Sequence, residues 1–196
     1  MATAPQSEGK KTKSSSAAKR SSSAKSASGG AKSTSKTTSA GGKGDPATRL
    51  LMADHRAVEK LFSQFEKAKD EERKHQLAMR ICMELTVHAQ IEEEIFYPIS
   101  RDFLDEDEMV NEAVVEHASA KDLIAQIEKM DASDQYFDAK VTVLKEMIEH
   151  HVEEEEKEFF PKVRKTDMDL KGAGERMKAR KEELMGQMDG HPGSMH

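Results

Sequence analysis

His88-Ala-Gln-Ile-Glu92-Glu-Glu-Ile-Phe-Tyr97-Pro98 and His151-Val-Glu-Glu-Glu155-Glu-Lys-Glu-Phe-Phe160-Pro161 are two versions of one pattern. Each is a His-x-x-x-Glu pair followed by an aromatic-proline step, with the proline ten residues after the histidine. Each has a lone histidine upstream: His55 precedes His88 by 33 residues, and His117 precedes His151 by 34. Positions four apart in a helix share a face, one turn apart. The doubled pattern predicts two similar helical hairpins, offset by 62 to 63 residues, that carry four imidazoles and two carboxylates to the middle of a four-helix bundle. That donor set suits two metal ions, iron foremost.

The apolar periodicity supports an all-α, up-down-up-down bundle. Asp45 caps a first helix with Pro46 at its first position; this helix covers about 47–68 with Leu51, His55, Val58, Phe62 and Phe65 on one stripe. Asp70 caps a second helix over about 71–97, with Ile81, Leu85, His88, Glu92, Ile95 and Phe96 inward and Pro98 as its stop. An acidic loop at 99–106 leads to a third helix over about 107–130, facing in with Val110, Val114, His117, Ile124 and Ile127. The break Asp131-Ala-Ser133-Asp134 supplies a cap for a fourth helix over about 134–160, whose inner stripe is Phe137, Val141, Leu144, Ile148, His151, Glu155 and Phe159. Short connections make both pairs antiparallel hairpins. A weaker fifth helix, about 168–188, presents Leu170, Ala173, Met177, Leu184 and Met188 and packs outside the bundle or over one end.

Helical phase separates the meaningful His-x-x-x-Glu pairs from chance ones in a Glu-rich chain. His150 and His151 are about 100° apart and cannot both face inward. His151 shares its stripe with Leu144, Ile148 and Phe159, and His150 with Glu146, Glu154, Lys157 and Glu158. His151 therefore points into the bundle and His150 to water. The candidate ligands are His55, His88, Glu92, His117, His151 and Glu155. A single histidine on an apolar face is more often a hydrogen-bonded core residue than a ligand. Six unpaired polar groups in one core are different, because burying them without partners is costly and coordination satisfies them together. Glu59, at the edge of the first stripe, is either solvated or a seventh donor or supporting partner. Glu84, one turn before His88, is expected to orient that imidazole. Asp54 and Glu116 fall off the inner face, and the run Glu153–Glu156 reads as charged surface apart from Glu155.

Composition divides the chain. Residues 1–46 have no aromatic, Val, Leu or Ile and carry nine basic residues against two acidic ones. Such a stretch is expected to be a disordered basic tail. The other 150 residues hold 22 basic and 35 acidic residues, so the formal net charge of −6 conceals two oppositely charged parts. The expected organisation is tail 1–46, bundle with its extra helix 47–188, and a frayed end 189–196. Cys82 is the only cysteine and is expected to be a small buried residue. No apolar run approaches a membrane span, and no signal-peptide segment is present, so a soluble cytoplasmic protein is expected, with the tail adding nucleoid association.

On Asp54-His55 with Leu61-Phe62, His88…Glu92…Tyr97-Pro98, Glu116-His117 and His151…Glu155…Phe160-Pro161, the domain resembles the hemerythrin family, in particular domains of the HHE cation-binding type. The likeness spans about 47–188, and Arg180-Lys-Glu-Glu-Leu-Met185 resembles such a domain's C-terminal helix. The resemblance implies a non-haem di-iron centre with two iron ions, bridging carboxylates and an oxo or hydroxo bridge, with manganese or zinc as substitutes. It differs from the oxygen-carrying members, where a fifth histidine stands at the position of Lys121 and a carboxylate lies five residues after the last histidine, here Glu156. Three functions are expected to compete. The first is binding or reacting with O2, peroxide or NO, in sensing, stress protection or iron handling. The second is a peroxide-decomposing or ferroxidase-like enzyme. The third is an interaction protein whose tail holds DNA non-specifically, with the bundle as scaffold.

Overall fold

The computed structural model describes residues 45–104 and 108–189. The basic tail up to residue 44, the end of the acidic loop and the final residues lie outside the described residues. Those described are helical or connecting, with no strand among them. Helix α1 is Pro46–Lys67 and α2 is Glu71–Ile91. A π-helical turn, Glu92–Phe96, joins α2 directly to α3, Tyr97–Arg101. Helix α4 is Glu108–Ile127 and α5 is Phe137–Glu154, which runs through a second π turn, Glu155–Phe159, into α6, Phe160–Val163. Helix α7, Leu170–Asp189, completes five helical rods.

Two of the three expected N-caps form. The Asp45 carboxylate accepts from Thr48 N at 2.9 Å ahead of Pro46, and Asp70 accepts from Arg73 N at 2.9 Å. The cap expected at Asp134 does not form. Its carboxylate accepts from Asp131 N inside the connection, at 2.8 Å, and the fourth rod begins at Phe137 without a side-chain cap.

Pro98 and Pro161 do not end their helices. Tyr97 N–H bonds to Glu92 O and Phe160 N–H to Glu155 O, each one residue further back than in an α-helix. The residues before the prolines stay α-helical, at φ −64°, ψ −45° for Tyr97 and φ −60°, ψ −39° for Phe160. A widened turn moves the carbonyl that would meet the proline ring, and the proline then starts a fresh segment where its missing N–H costs nothing. The inserted residue also shifts the phase, so Ile95, Phe96 and Tyr97 are buried in succession.

The apolar core forms two clusters, and each bundle helix crosses from one to the other at its histidine. Leu51 and Val58 flank His55, Ile91 and Leu85 flank His88, Ala113 and Ala120 flank His117, and Phe159 and Leu144 flank His151. Most expected core residues are buried. Val114, expected inward, is 40% exposed, and Ala113 is buried instead. Ile148 is half-buried, and Met188, expected inward, is exposed. Cys82 is buried, and burial pushes its thiol up to about 12, which leaves it inert.

Helix α7 packs along α1 and α2 rather than over an end of the bundle. Its approach to α1 relies on Gly174: a Cβ there would stand 2.7 Å from Ala47 N and 2.8 Å from Pro46 C. Gly186 faces open space. Gly174→Ala is expected to destabilise the fold by about 1–3 kcal/mol through overpacking, whereas Gly186→Ala should stabilise it by about 0.5–1 kcal/mol through helix propensity. Urea unfolding of the two variants checks this; equal and small effects would show that α7 is not held against α1 at Gly174.

Candidate metal centre

The six residues singled out by periodicity converge where the two apolar clusters meet. His55, His88, Glu92, His117, His151 and Glu155 are all buried. The histidines form two pairs, Nε2 to Nε2, at 3.1 Å for His55 and His88 and 3.1 Å for His117 and His151. Each carboxylate reaches both pairs. Glu92 Oε2 lies 3.2 Å from His88 Nε2 and 3.5 Å from His117 Nε2, while Glu155 Oε2 lies 3.4 Å from His55 Nε2 and 3.8 Å from His151 Nε2. Two groups of donor atoms result, His55, His88, Glu92 and Glu155 in one and Glu92, His117 and His151 in the other, the atoms of each within 4.8 Å of one another.

Behind every imidazole stands a carboxylate on Nδ1. Glu156 bonds His55 at 2.8 Å, Glu93 bonds His117 at 3.0 Å and Glu116 bonds His151 at 2.8 Å, while Asp54 faces His88 at 3.6 Å. This outer ring turns all four Nε2 atoms inward and makes the rings more basic donors. Asp54 and Glu116, expected off the inner face, lie outside the cage and belong to this ring. Glu84, expected to orient His88, pairs instead with Arg80 at 2.6 Å. Glu59 is exposed beside Arg56 and contributes nothing to the cage. A signal for the ring was present. Asp54 and Glu116 repeat at the hairpin offset of 62, and Glu93 and Glu156 at 63.

Cations hold the ring in turn. Lys181 of α7 binds Asp54 at 2.5 Å, Arg56 pairs with Glu156, and Lys121 Nζ bonds both oxygens of Glu93 at 2.6 and 2.5 Å. The position of a possible fifth histidine is thus given to an ammonium that anchors the partner of His117.

Tyr97, expected as the aromatic of the Tyr97-Pro98 step, also enters the cage: its buried hydroxyl donates to Glu155 Oε1 at 3.0 Å and lies 3.5 Å from His117 Nε2. Burial, with Glu155 and Glu92 nearby, holds the phenol well above its usual range, so it stays a donor. Its counterpart in the second hairpin is Phe160, which stacks on His55, so the two halves of the site differ. On the opposite side lies a cavity of about 20 Å³, walled by residues including Val58, Leu85, Ala120, Ile124 and Val152, with the four histidines at its edge.

The electrostatics show what the cage lacks. Glu92 is fully buried with both oxygens unpartnered, and Glu155 Oε2 and His88 Nδ1 are likewise without hydrogen bonds. Burial, then the neighbouring Glu155, drives the Glu92 carboxyl well above the carboxylate range. Burial pushes Glu155 the same way, but His151 and His55 outweigh it and hold this carboxyl at about 2. Burial, reinforced by His151, lowers His117 to about 3, and burial also lowers His88. His151 is raised, because Glu155 and Glu116 overcome its burial.

Residues 47–163 match the hemerythrin HHE cation binding domain. The chain belongs to that family. A solved structure of a hemerythrin HHE cation binding domain-containing protein from Mycobacterium kansasii superposes with a TM-score of 0.63 at 26% identity, over 72% of this chain and 88% of that one. A Nostoc sp. protein named DNA nickase is 30% identical over 115 residues, 59% of this chain. The chain spans only 32% of that relative's length. In this hemerythrin-family domain the clustered histidines and glutamates form a candidate metal site.

Without metal, the cage should make folding acid-sensitive. His117 and His88 stay neutral in the fold, whereas the unfolded chain takes up protons below about pH 6.5. The unfolded state then binds more protons, and stability falls as pH drops from about 6.5 toward 3, by up to about 1.4 kcal/mol per pH unit per group. His151 acts oppositely: its stabilising protonation is complete below about 6.5 and is lost as pH rises through its raised value. Glu92 also opposes them, since its raised carboxyl is protonated in the fold while the unfolded carboxyl stays ionised down to about pH 4.5. The two neutral histidines outnumber this one carboxyl, so the urea midpoint of metal-free protein should fall between about pH 6.5 and 4, and His117→Gln should flatten that fall. An unchanged slope in the variant would contradict the assignment to His117.

Proposed function

We propose that this domain holds two iron ions in the His/Glu cage and binds or reacts with O2, NO or peroxide there, in sensing, stress protection or iron handling. The observation that carries the reading is the double reach of Glu92 and Glu155, each with one oxygen near a histidine of both pairs, and those two Oε2 atoms have no hydrogen-bond partner. The donor chemistry fits. Neutral imidazole and carboxylate suit ferrous and ferric iron, and two buried carboxylates offset part of the charge of two cations. His55 and His88 would hold one ion and His117 and His151 the other, with Glu92 and Glu155 shared between them. Iron held there supplies redox chemistry toward small oxygen- and nitrogen-containing ligands.

The remaining contributions belong to the chain. The carboxylate ring hydrogen-bonds Nδ1 of His55, His117 and His151 and faces that of His88. Tyr97 donates to Glu155, which distinguishes the two halves of the cage. The adjoining cavity, at about 20 Å³, has room for about one water-sized guest. Its aliphatic wall favours an uncharged diatomic over larger or charged solutes. Protein produced with iron should contain about two irons per chain, and its optical spectrum should change on exposure to O2 or NO. His117→Ala should lose about half of the iron. Protein that carries no metal after iron supplementation, with no optical change on adding ferrous iron and oxygen, would end this reading. Sustained peroxide turnover that vanishes in His117→Ala would make the domain an enzyme rather than a binder.

The charge of residues 1–46 favours a second, compatible reading, in which they hold DNA non-specifically. Nine basic residues spread among Ser, Ala and Thr would neutralise phosphates without reading bases. Full-length protein should bind duplex DNA with an affinity that falls steeply between 50 and 200 mM salt, and a chain lacking residues 1–46 should not. Equal binding by both would remove the tail from the account.

A further inference from the structure

The solvent-facing His150-x-x-x-Glu154 pair has no part in the cage, yet it does not stand alone. His150 Nε2 lies 3.4 Å from Glu154 Oε1 and 3.7 Å from Glu116 Oε1, and donor atoms of the three residues all lie within 4.8 Å of one another. His150 is exposed while Glu154 and Glu116 are half-buried, and an ion pair with one solvent-facing member contributes little to stability. Glu116 is shared with the interior, since its other oxygen bonds His151 Nδ1 at 2.8 Å. Beside the cluster a cavity of about 70 Å³ opens between α4 and the fourth rod. Glu112, Glu116, Glu154 and Glu158 line its sides, and His151 and Glu155 line it from within. No lysine or arginine is among its described lining residues. Glu155 is buried, and its Oε2 is without a hydrogen-bond partner.

We propose that Glu116, His150 and Glu154 form an outer docking site for a divalent first-row cation, and that the glutamate-lined cavity passes the cation to the buried cage. The inference rests on the reading that the cage holds metal. One imidazole and two carboxylates suit such cations without selecting one strongly. Both apolar clusters close the cage along the bundle axis, whereas this cavity lets water ligands be exchanged for carboxylates in steps. A cleft lined by one sign of charge also raises the local concentration of the opposite ion and its association rate.

The test uses metal-free full-length protein and the variant His150→Ala/Glu154→Gln, which changes one exposed and one half-buried side chain, neither of them a member of the cage. Manganese(II) titration followed by electron paramagnetic resonance counts the ions bound, and stopped-flow mixing with anaerobic ferrous iron gives the loading rate. The wild type should bind two ions tightly and a third weakly. The variant should keep the tight two, lose the third, and load more slowly by about tenfold or more at low ionic strength, with the gap closing as salt is added. Glu112→Gln/Glu158→Gln, in the cavity walls, should slow loading while keeping the third ion. Unchanged loading rate and stoichiometry in His150→Ala/Glu154→Gln would overturn the docking site while leaving the cage intact. Wild-type protein that takes up no ion at all would overturn the cage and the docking site together.

Discussion

Four imidazoles and two carboxylates buried at one level of a helical bundle set the terms for everything else in this protein. Burying such groups without partners is expensive. Here the chain supplies carboxylates to the outer sides of the imidazoles, hydrogen-bonded to three of them and 3.6 Å from the fourth, and one hydroxyl, that of Tyr97, to Glu155. The inner sides face one another, imidazole to imidazole and carboxylate to imidazole. Protons satisfy this arrangement poorly, as the opposed displacements of Glu92 and Glu155 show. A pair of cations would satisfy all six donors at once. The two apolar clusters and the capped, antiparallel hairpins can be seen as the frame that keeps these donors in register.

The frame is duplicated down to its irregularities. Each hairpin has a π turn that begins at its inward glutamate and a proline that follows it. Such turns often mark functional positions, and here their effect is specific. The added residue brings Tyr97 inward to donate to Glu155, and it sets Phe160 against His55. The acid next to each inward glutamate, Glu93 or Glu156, crosses to the other hairpin's first histidine. The acid before each first histidine, Asp54 or Glu116, serves the second histidine of its own hairpin. Duplication therefore accounts for the ring as well as for the cage, and the departure from it, Tyr97 against Phe160, falls beside the cage.

Much of this was legible in the sequence because its signals were periodic or repeated. The helices, the caps at Asp45 and Asp70, the inward histidines and the outward His150 all follow from spacing. What spacing missed has physical causes. A uniform 3.6-residue period has no place for a π turn, so Pro98 was read as a stop and Tyr97 as punctuation. A stripe drawn for apolar burial excludes Asp54 and Glu116, whose side chains reach inward from its flank. Val114 was placed inside by hydrophobicity, whereas the position beside the charged layer is filled by Ala113. The offsets that repeat Asp54 as Glu116 and Glu93 as Glu156 would have revealed the ring, had they been applied to the acids as they were to the histidines.

The most direct test of the central claim is a crystal structure of iron-supplied protein with anomalous diffraction recorded on both sides of the iron absorption edge. The account predicts two iron peaks about 3.5–4 Å apart, one beside His55 and His88 and the other beside His117 and His151, with Glu92 and Glu155 spanning both. An ordered cage without anomalous density, in protein that had been offered iron, would contradict it.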